Sequence, residues 1–119
     1  MLWFRKRTKP AEARRVAEIR FLYEQDGEPE RALKREIFQD LLSTAGVQRA
    51  YLARVEYDDP AAYEVALCIR GPESVALVRQ LSARFHELAP SGVHLDILFV
   101  NEEQEARLQS VCRAFFSRE

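Results

Sequence analysis

Positions 50–70 read AYLARVEYDDPAAYEVALCIR, and this stretch decides the fold. Large apolar residues recur with a period of two in both halves, which is typical of β-strands: Val55 and Tyr57 in the first, and Tyr63, Val65, Leu67 and Ile69 in the second. Between the halves, Asp58-Asp59-Pro60-Ala61 has the residue types of a turn. The sequence therefore predicts a β-hairpin here, and we expect Tyr51, Val55 and Tyr57 to lie on its inner face.

Helical periodicity flanks this hairpin on both sides. One predicted helix begins near Pro29, and a second follows Gly71-Pro72-Glu73. The apolar residues of each recur along one stripe: Leu33, Ile37, Phe38, Leu41 and Leu42 in the first, and Leu77, Val78, Leu81, Phe85 and Leu88 in the second.

The two ends of the chain supply the remaining elements. Residues 93–100 alternate as a strand, and a capping box of Asn101 and Gln104 opens a last helix. The stripe of that helix is Leu108, Val111, Cys112 and Phe115. Residues 11–17 favour helix. Residues 18–25 favour a strand, although their apolar residues also fit one side of a helix, and both interpretations stay open.

The predicted order is β-α-β-β-α-β-α, an α+β fold. It suggests a ferredoxin-like sandwich with an antiparallel or mixed sheet and an appended C-terminal helix. The last strand is apolar on both faces in its second half, which is unusual for the edge position it holds in that arrangement. Either the C-terminal helix covers it or the strand order differs. We expect residues 1–10 to be a basic tail and residues 11–119 to form one domain.

Composition narrows the classes of function. The chain has 119 residues and a net charge of −1, yet its first 20 residues carry seven Lys or Arg against two Glu. We expect a solvated terminus there, with weak attraction to phosphate or lipid headgroups as the alternative. The acidic remainder argues against a nucleic-acid surface. No apolar run approaches the roughly 18 residues that span a membrane.

Cysteine usage and the N-terminus predict a cytoplasmic protein. Cys68 and Cys112 lie within apolar patterns and lack C-x-x-C spacing, so we expect two reduced core thiols. The short apolar start, Met1–Phe4, precedes its positive charges, which is not the arrangement of a signal peptide.

His94 and Asp96 are the only weak candidates for chemistry. Two apart on a predicted strand, they project from the same face with Cα atoms about 7 Å apart. In such a pair the carboxylate can fix the tautomer of the imidazole for base catalysis, or both side chains can bind a metal. No nucleophile or third ligand stands near the pair in sequence. We therefore expect no catalytic residues, no cofactor and no metal. The sequence also argues against an RNA-recognition fold, because its third predicted strand, positions 63–70, lacks the aromatic series that binds RNA in that fold.

One face of the predicted sheet points to binding. Ala66, Cys68, Leu98 and Val100 are apolar residues that we expect on the face away from the first two helices. Such a face requires cover from the last helix, from another domain or from a second subunit. These four residues are therefore the candidate interface.

Four stretches carry a family resemblance: Phe21–Gln25, Val47–Leu52, Val93–Ile97 and Ala114–Phe116. Together they resemble the C-terminal domain of the SseB proteins, named for enhanced serine sensitivity, over about residues 18–117. The family's separate N-terminal domain has no counterpart here, and its Pro-Phe-Tyr-like ending is replaced by Ala114-Phe115-Phe116. The resemblance implies a bacterial cytoplasmic protein with no assigned reaction, and no catalytic residues to carry over.

Three hypotheses follow. The first is a non-enzymatic interaction or regulatory module that binds a protein partner or associates with itself. The second is a small-ligand sensor, for example of an amino acid. The third is a weak enzyme that uses His94 and Asp96; it fails if the two side chains point to opposite faces or to bulk solvent.

Overall fold

The computed structural model describes residues 19–57, 63–89 and 94–118. The elements in chain order are β1 (Arg20–Glu24), α1 (Glu28–Leu42), β2 (Arg49–Glu56), β3 (Tyr63–Arg70), α2 (Val75–Leu88), β4 (Asp96–Phe99), α3 (Glu102–Gln109) and β5 (Phe116–Ser117). The α+β class and the predicted order are confirmed, and residues 20–24 form a strand. The predicted tail 1–10, the helix over 11–17 and the turn 58–61 lie outside the described residues.

The sheet is mixed, with the order β1-β2-β3-β4. β2 is antiparallel to both of its neighbours β1 and β3, whereas β3 and β4 run parallel. β5 pairs with Arg49 and Ala50 of β2, and β1 with residues 53–56 of the same strand. Both alternatives for the last strand hold: β4 keeps an edge position where Leu98 and Val100 share a buried cluster with Leu108 of α3, and β1 occupies the opposite edge, so the strand order also differs from the usual ferredoxin-like arrangement.

Helices cover both faces of this sheet. α1 and α2 pack on one face, which we call the α1/α2 face, through buried side chains: Leu33, Ile37, Leu41, Leu77, Leu81 and Phe85 over Leu52, Leu67 and Ile69. The other face, the α3 face, lies under Leu108 and Cys112 and includes Tyr51, Val55 and Tyr57. The hairpin residues predicted to be buried are thus buried, against α3 and the segment that follows it.

The apolar stripes predicted for α1 and α2 are wider than the faces that these helices bury. Phe38, Leu42 and Leu88 are 41%, 44% and 41% exposed, although the apolar stripes included them. One turn of α1 presents only one residue squarely to the sheet, and Ile37 and Leu41 take those positions.

The C-terminal helix is also shorter than predicted. It ends at Gln109, and the N–H groups of Val111 and Cys112 bond back to the Leu108 carbonyl in a turn. The N–H of Phe115 then donates to the Ala50 carbonyl. The open edge of β2 supplies backbone partners there, so the chain ends in β5 rather than in helix.

Candidate functional site

The predicted polar pair is formed. His94 lies two residues before the start of β4, and its Nε2 lies 2.7 Å from Oδ1 of Asp96. The Tyr57 hydroxyl donates a hydrogen bond to Oδ2 of the same carboxylate, which is buried beside Ala66 of β3. The two side chains therefore meet, and the buried carboxylate fixes the orientation of the imidazole. Tyr57 was not predicted as a member, because it comes from a different strand.

The space beside this pair is small. A hollow of about 50 Å³ is lined by Ser82, Phe85, His86, His94, Leu95 and Ile97. Since a site needs roughly 10–15 Å³ of such space to hold one water, this volume suits a few waters, and it lies far below the volume of about 300–1,000 Å³ of small-molecule pockets. Across residues 19–57, 63–89 and 94–118, no group of three or more His, Cys, Asp or Glu side chains is placed to hold a metal ion.

A second polar cluster lies between α3 and the sheet. The buried Glu105 carboxylate accepts hydrogen bonds from the Arg49 guanidinium, at 2.9 Å for Nη2, and from the Tyr51 hydroxyl at 2.6 Å. Arg70 Nε approaches to 3.4 Å, and Gln109 donates to the Tyr51 oxygen at 2.9 Å. These contacts join α3 to β2 across more than 50 residues of sequence, and the contact of Arg70 joins it to β3. No local pattern signals them, and sequence reasoning missed them.

Electrostatics in this cluster favour the ion pair. Hydrogen bonding from Arg49 holds the pKa of Glu105 below its usual value of 4.5 against the opposing effect of burial. Burial, followed by the bond to Glu105, raises the pKa of Tyr51 to about 12. Every member is engaged with another member, so this cluster fastens α3 to the sheet.

The four interface candidates lie on the α3 face. Ala66, Cys68 and Val100 are buried beneath α3 and the segment after it, and only Leu98 stays half-buried. Of the three covers considered, the last helix is therefore the one present. The prediction of an interface is corrected at the three buried residues, because the chain itself removes them from solvent.

An exposed apolar surface of the described residues lies elsewhere, beside α1. Lys34, Arg35, Phe38 and Phe115 line an open groove of about 320 Å³ that we call the α1–tail groove. The ring of Phe38 meets the buried ring of Phe116 edge to face, with centroids 5.2 Å apart. Lys34 Nζ lies 5.7 Å from the centroid of Phe115. One wall is thus a helix and the other is the strand-like tail.

Backbone bonds fix the tail wall of this groove. The N–H of Phe115 donates to the Ala50 carbonyl at 3.0 Å, and that of Arg118 donates to the Gln48 carbonyl at 2.8 Å. The rings on both walls are therefore carried by hydrogen-bonded elements, which makes the groove largely pre-formed. Sequence reasoning missed it because Phe38 and Phe115 were assigned to buried stripes. The signal was the width of the α1 stripe, which exceeds what one helix face buries.

The groove is bordered by cations. Lys34 Nζ lies 3.6 Å from Glu24 and 3.5 Å from Asp26. Hydrogen bonding from Arg31 lowers the pKa of Asp26. Arg35 is exposed and forms no hydrogen bond or ion pair with any described residue. Its guanidinium is the open charge of the groove.

Comparison with family models, with curated proteins and with solved structures finds no match for this chain. Among the described helices, none combines the length and the apolar character needed to cross a bilayer.

Proposed function

We propose that this chain is a non-enzymatic protein-interaction module that docks a partner in the α1–tail groove. One observation carries the proposal: Phe38 is 41% exposed at a pre-formed groove, whereas Leu33, Ile37 and Leu41 of the same α1 stripe are buried. Aromatic side chains in such positions commonly anchor protein interfaces, since they bring a large apolar area at low entropic cost.

The two polar clusters, one around Glu105 and one around Asp96, support a non-enzymatic role because their side chains bond to one another. Glu105 and its partners fasten α3 to the sheet. The carboxylate of Asp96 accepts a hydrogen bond from Tyr57 and contacts His94, beside a hollow of only about 50 Å³. Neither arrangement pairs a nucleophile with a base in front of a substrate-sized space.

A small-ligand sensor is the second candidate. The volume of the groove lies at the lower end of the range for small-molecule pockets, about 300–1,000 Å³. Arg35 supplies one group that an amino-acid carboxylate requires. The resemblance to the SseB proteins, whose name records serine sensitivity, agrees with this candidate. A thermal-shift series with serine and other amino acids tests it: a rise in Tm that Arg35→Ala abolishes would favour the sensor.

The interaction module is tested by affinity capture with matched variants. The immobilised wild type, Phe38→Ser and Val75→Ser are exposed to a lysate of the source organism. Val75 is the control, because it is 69% exposed on α2 and does not line the groove. We expect a protein that the wild type and Val75→Ser retain and Phe38→Ser loses. Identical capture by all three, or capture by none, would contradict the proposal.

A further inference from the structure

We infer that the partner presents an acidic segment with one large apolar anchor residue, and that this segment occupies the α1–tail groove. The anchor packs between Phe38 and Phe115, and a neighbouring carboxylate of the segment pairs with Arg35. This inference rests on the proposed function and names the chemistry of its partner.

The apolar part of the argument comes from the two rings. Phe38 stands on α1 and Phe115 on the tail, so an inserted side chain contacts aromatic surface on both sides. Leu42 is 44% exposed one turn further along α1, which extends the apolar strip beyond the rings. A side chain of the size of an aromatic residue or leucine would bury apolar surface against both rings. Removing that surface from water is the usual source of affinity in such sites.

The charged part comes from the cations around the rings. Glu24 and Asp26 are shared among Arg31, Lys34 and Arg113, so each of these carboxylates is already neutralised. The guanidinium of Arg118 faces carbonyl oxygens at the end of α1, where it keeps its charge. Among these side chains the cations therefore outnumber the carboxylates.

Arg35 is the member of this group that faces the groove without a partner among the described residues. A guanidinium offers parallel N–H donors that match a carboxylate, and such charge-assisted pairs are stronger than neutral hydrogen bonds. Adjacent aromatic surface excludes water and strengthens the pair. An acidic residue beside the anchor therefore completes the site.

A single-stranded nucleic acid fits less well. Its bases would stack on the rings, but its backbone carries a phosphate at each step, and of the two cations that line the groove Lys34 is already paired with Glu24 and Asp26. A peptide places its few carboxylates only where cations stand. The observations thus favour the peptide.

The test uses three fluorescein-labelled peptides of equal length and the full chain. The first places Trp among Glu and Asp residues, the second replaces the acidic residues by Lys, and the third replaces Trp by Ala. Fluorescence anisotropy gives Kd for each. We expect the first peptide to bind the wild type and the other two to bind at least about tenfold more weakly, since each lost contact is worth about 1–2 kcal/mol.

Protein variants then locate the site. Phe38→Ala weakens the first peptide by about tenfold or more, and Arg35→Glu weakens it while improving the Lys peptide. The controls are Val75→Ala for the lost apolar surface and Arg79→Glu for the reversed charge. Both control residues are exposed on α2, and neither lines the groove. The controls should bind as the wild type does, and circular dichroism verifies that every variant is folded.

Three outcomes would overturn the inference: equal binding of the acidic and Lys peptides, tighter binding of an oligothymidylate, or a Phe38-dependent dimer in sedimentation equilibrium. Competition separates this failure from that of the proposed function. If capture from lysate depends on Phe38 but the acidic peptide neither binds nor displaces the captured protein, the module stands and the partner chemistry is wrong. If the wild type and Phe38→Ser capture the same proteins from the lysate, the proposed function itself fails.

Discussion

Glu105 shows how one residue holds two layers of the molecule together. Its carboxylate is buried. It accepts hydrogen bonds from Arg49 and Tyr51 and lies near Arg70. A buried carboxylate is tolerated when such partners replace its lost hydration. Loss of the carboxylate would leave two guanidinium groups facing each other across β2 and β3, where Arg49 and Arg70 are directly paired.

We therefore expect Glu105→Gln to lower the free energy of unfolding by about 1–3 kcal/mol at neutral pH. The folded-state pKa of Glu105 is lowered, so its contribution is present above the usual value of 4.5 and disappears as pH falls through the folded pKa. Urea unfolding at a series of pH values should show a flatter acid limb for the variant. An equal loss of stability on acidification in both proteins would contradict this assignment.

The two thiols give a second prediction at this scale. Burial raises the pKa of Cys68, and burial raises that of Cys112 to about 12. The thiolate is the reactive form, so neither residue should react with an aromatic disulfide reagent at neutral pH in the folded protein. We expect both to react promptly in denaturant, which serves as the control. Fast reaction of one thiol in the native state would place that residue at the surface.

At the scale of elements, Arg118 connects the last strand to the first helix. Its guanidinium donates to the Leu41, Leu42 and Thr44 carbonyls, at 3.2, 2.9 and 3.3 Å, and to Val47 at 2.9 Å. These carbonyls include some that the end of α1 leaves without helical partners. The positive charge of Arg118 also interacts favourably with the negative end of the α1 dipole.

Arg118→Ala should accordingly cost about 1–2 kcal/mol of unfolding free energy, measured by chemical denaturation. The matched control is Arg113→Ala in the same tail segment. The Arg113 side chain is 88% exposed and pairs with Glu24 at the surface, a type of contact worth about 0–1 kcal/mol. Equal losses in the two variants would show that the guanidinium of Arg118 does not secure α1.

Local patterns predicted most elements but not their limits. The period of two in residues 50–70 predicted β2 and β3, and Asn101 with Gln104 predicted the start of α3. β5 was missed because two residues are too few to show a period. It forms only because β2, which is remote in sequence, offers its edge for backbone pairing. For the same reason the end of α3 was placed too late.

At the scale of the whole molecule, strand order and the groove depended on contacts that no local pattern encodes. The apolar strand β4 was expected to need cover, but nothing in residues 93–100 indicated that β1 would pair with β2 at the opposite edge. His94 and Asp96 were found because they stand two apart on the strand predicted over residues 93–100, although β4 itself begins only at Asp96. Phe38 and Phe115 come from opposite ends of the chain, and only the folded arrangement brings them to one groove.

The last prediction concerns the α3 face as a second core. Leu108 is fully buried at its centre, over Ala53, Ala66 and Cys68. Leu108→Ala should therefore cost about 2–5 kcal/mol, because it removes buried methyl groups and leaves a cavity. The matched control is Leu88→Ala: Leu88 is 41% exposed near the end of α2, and its truncation should cost less than about 1 kcal/mol.

Denaturant unfolding gives both values, and sedimentation equilibrium gives the oligomeric state of each variant. If the wild type is a dimer that Leu108→Ala dissociates without loss of monomer stability, this face is an interface between copies and not an internal core. If Leu108→Ala loses stability at every protein concentration, the chain covers its own sheet on both sides. The exposed apolar surface available to a partner is then beside α1, where Phe38 lies.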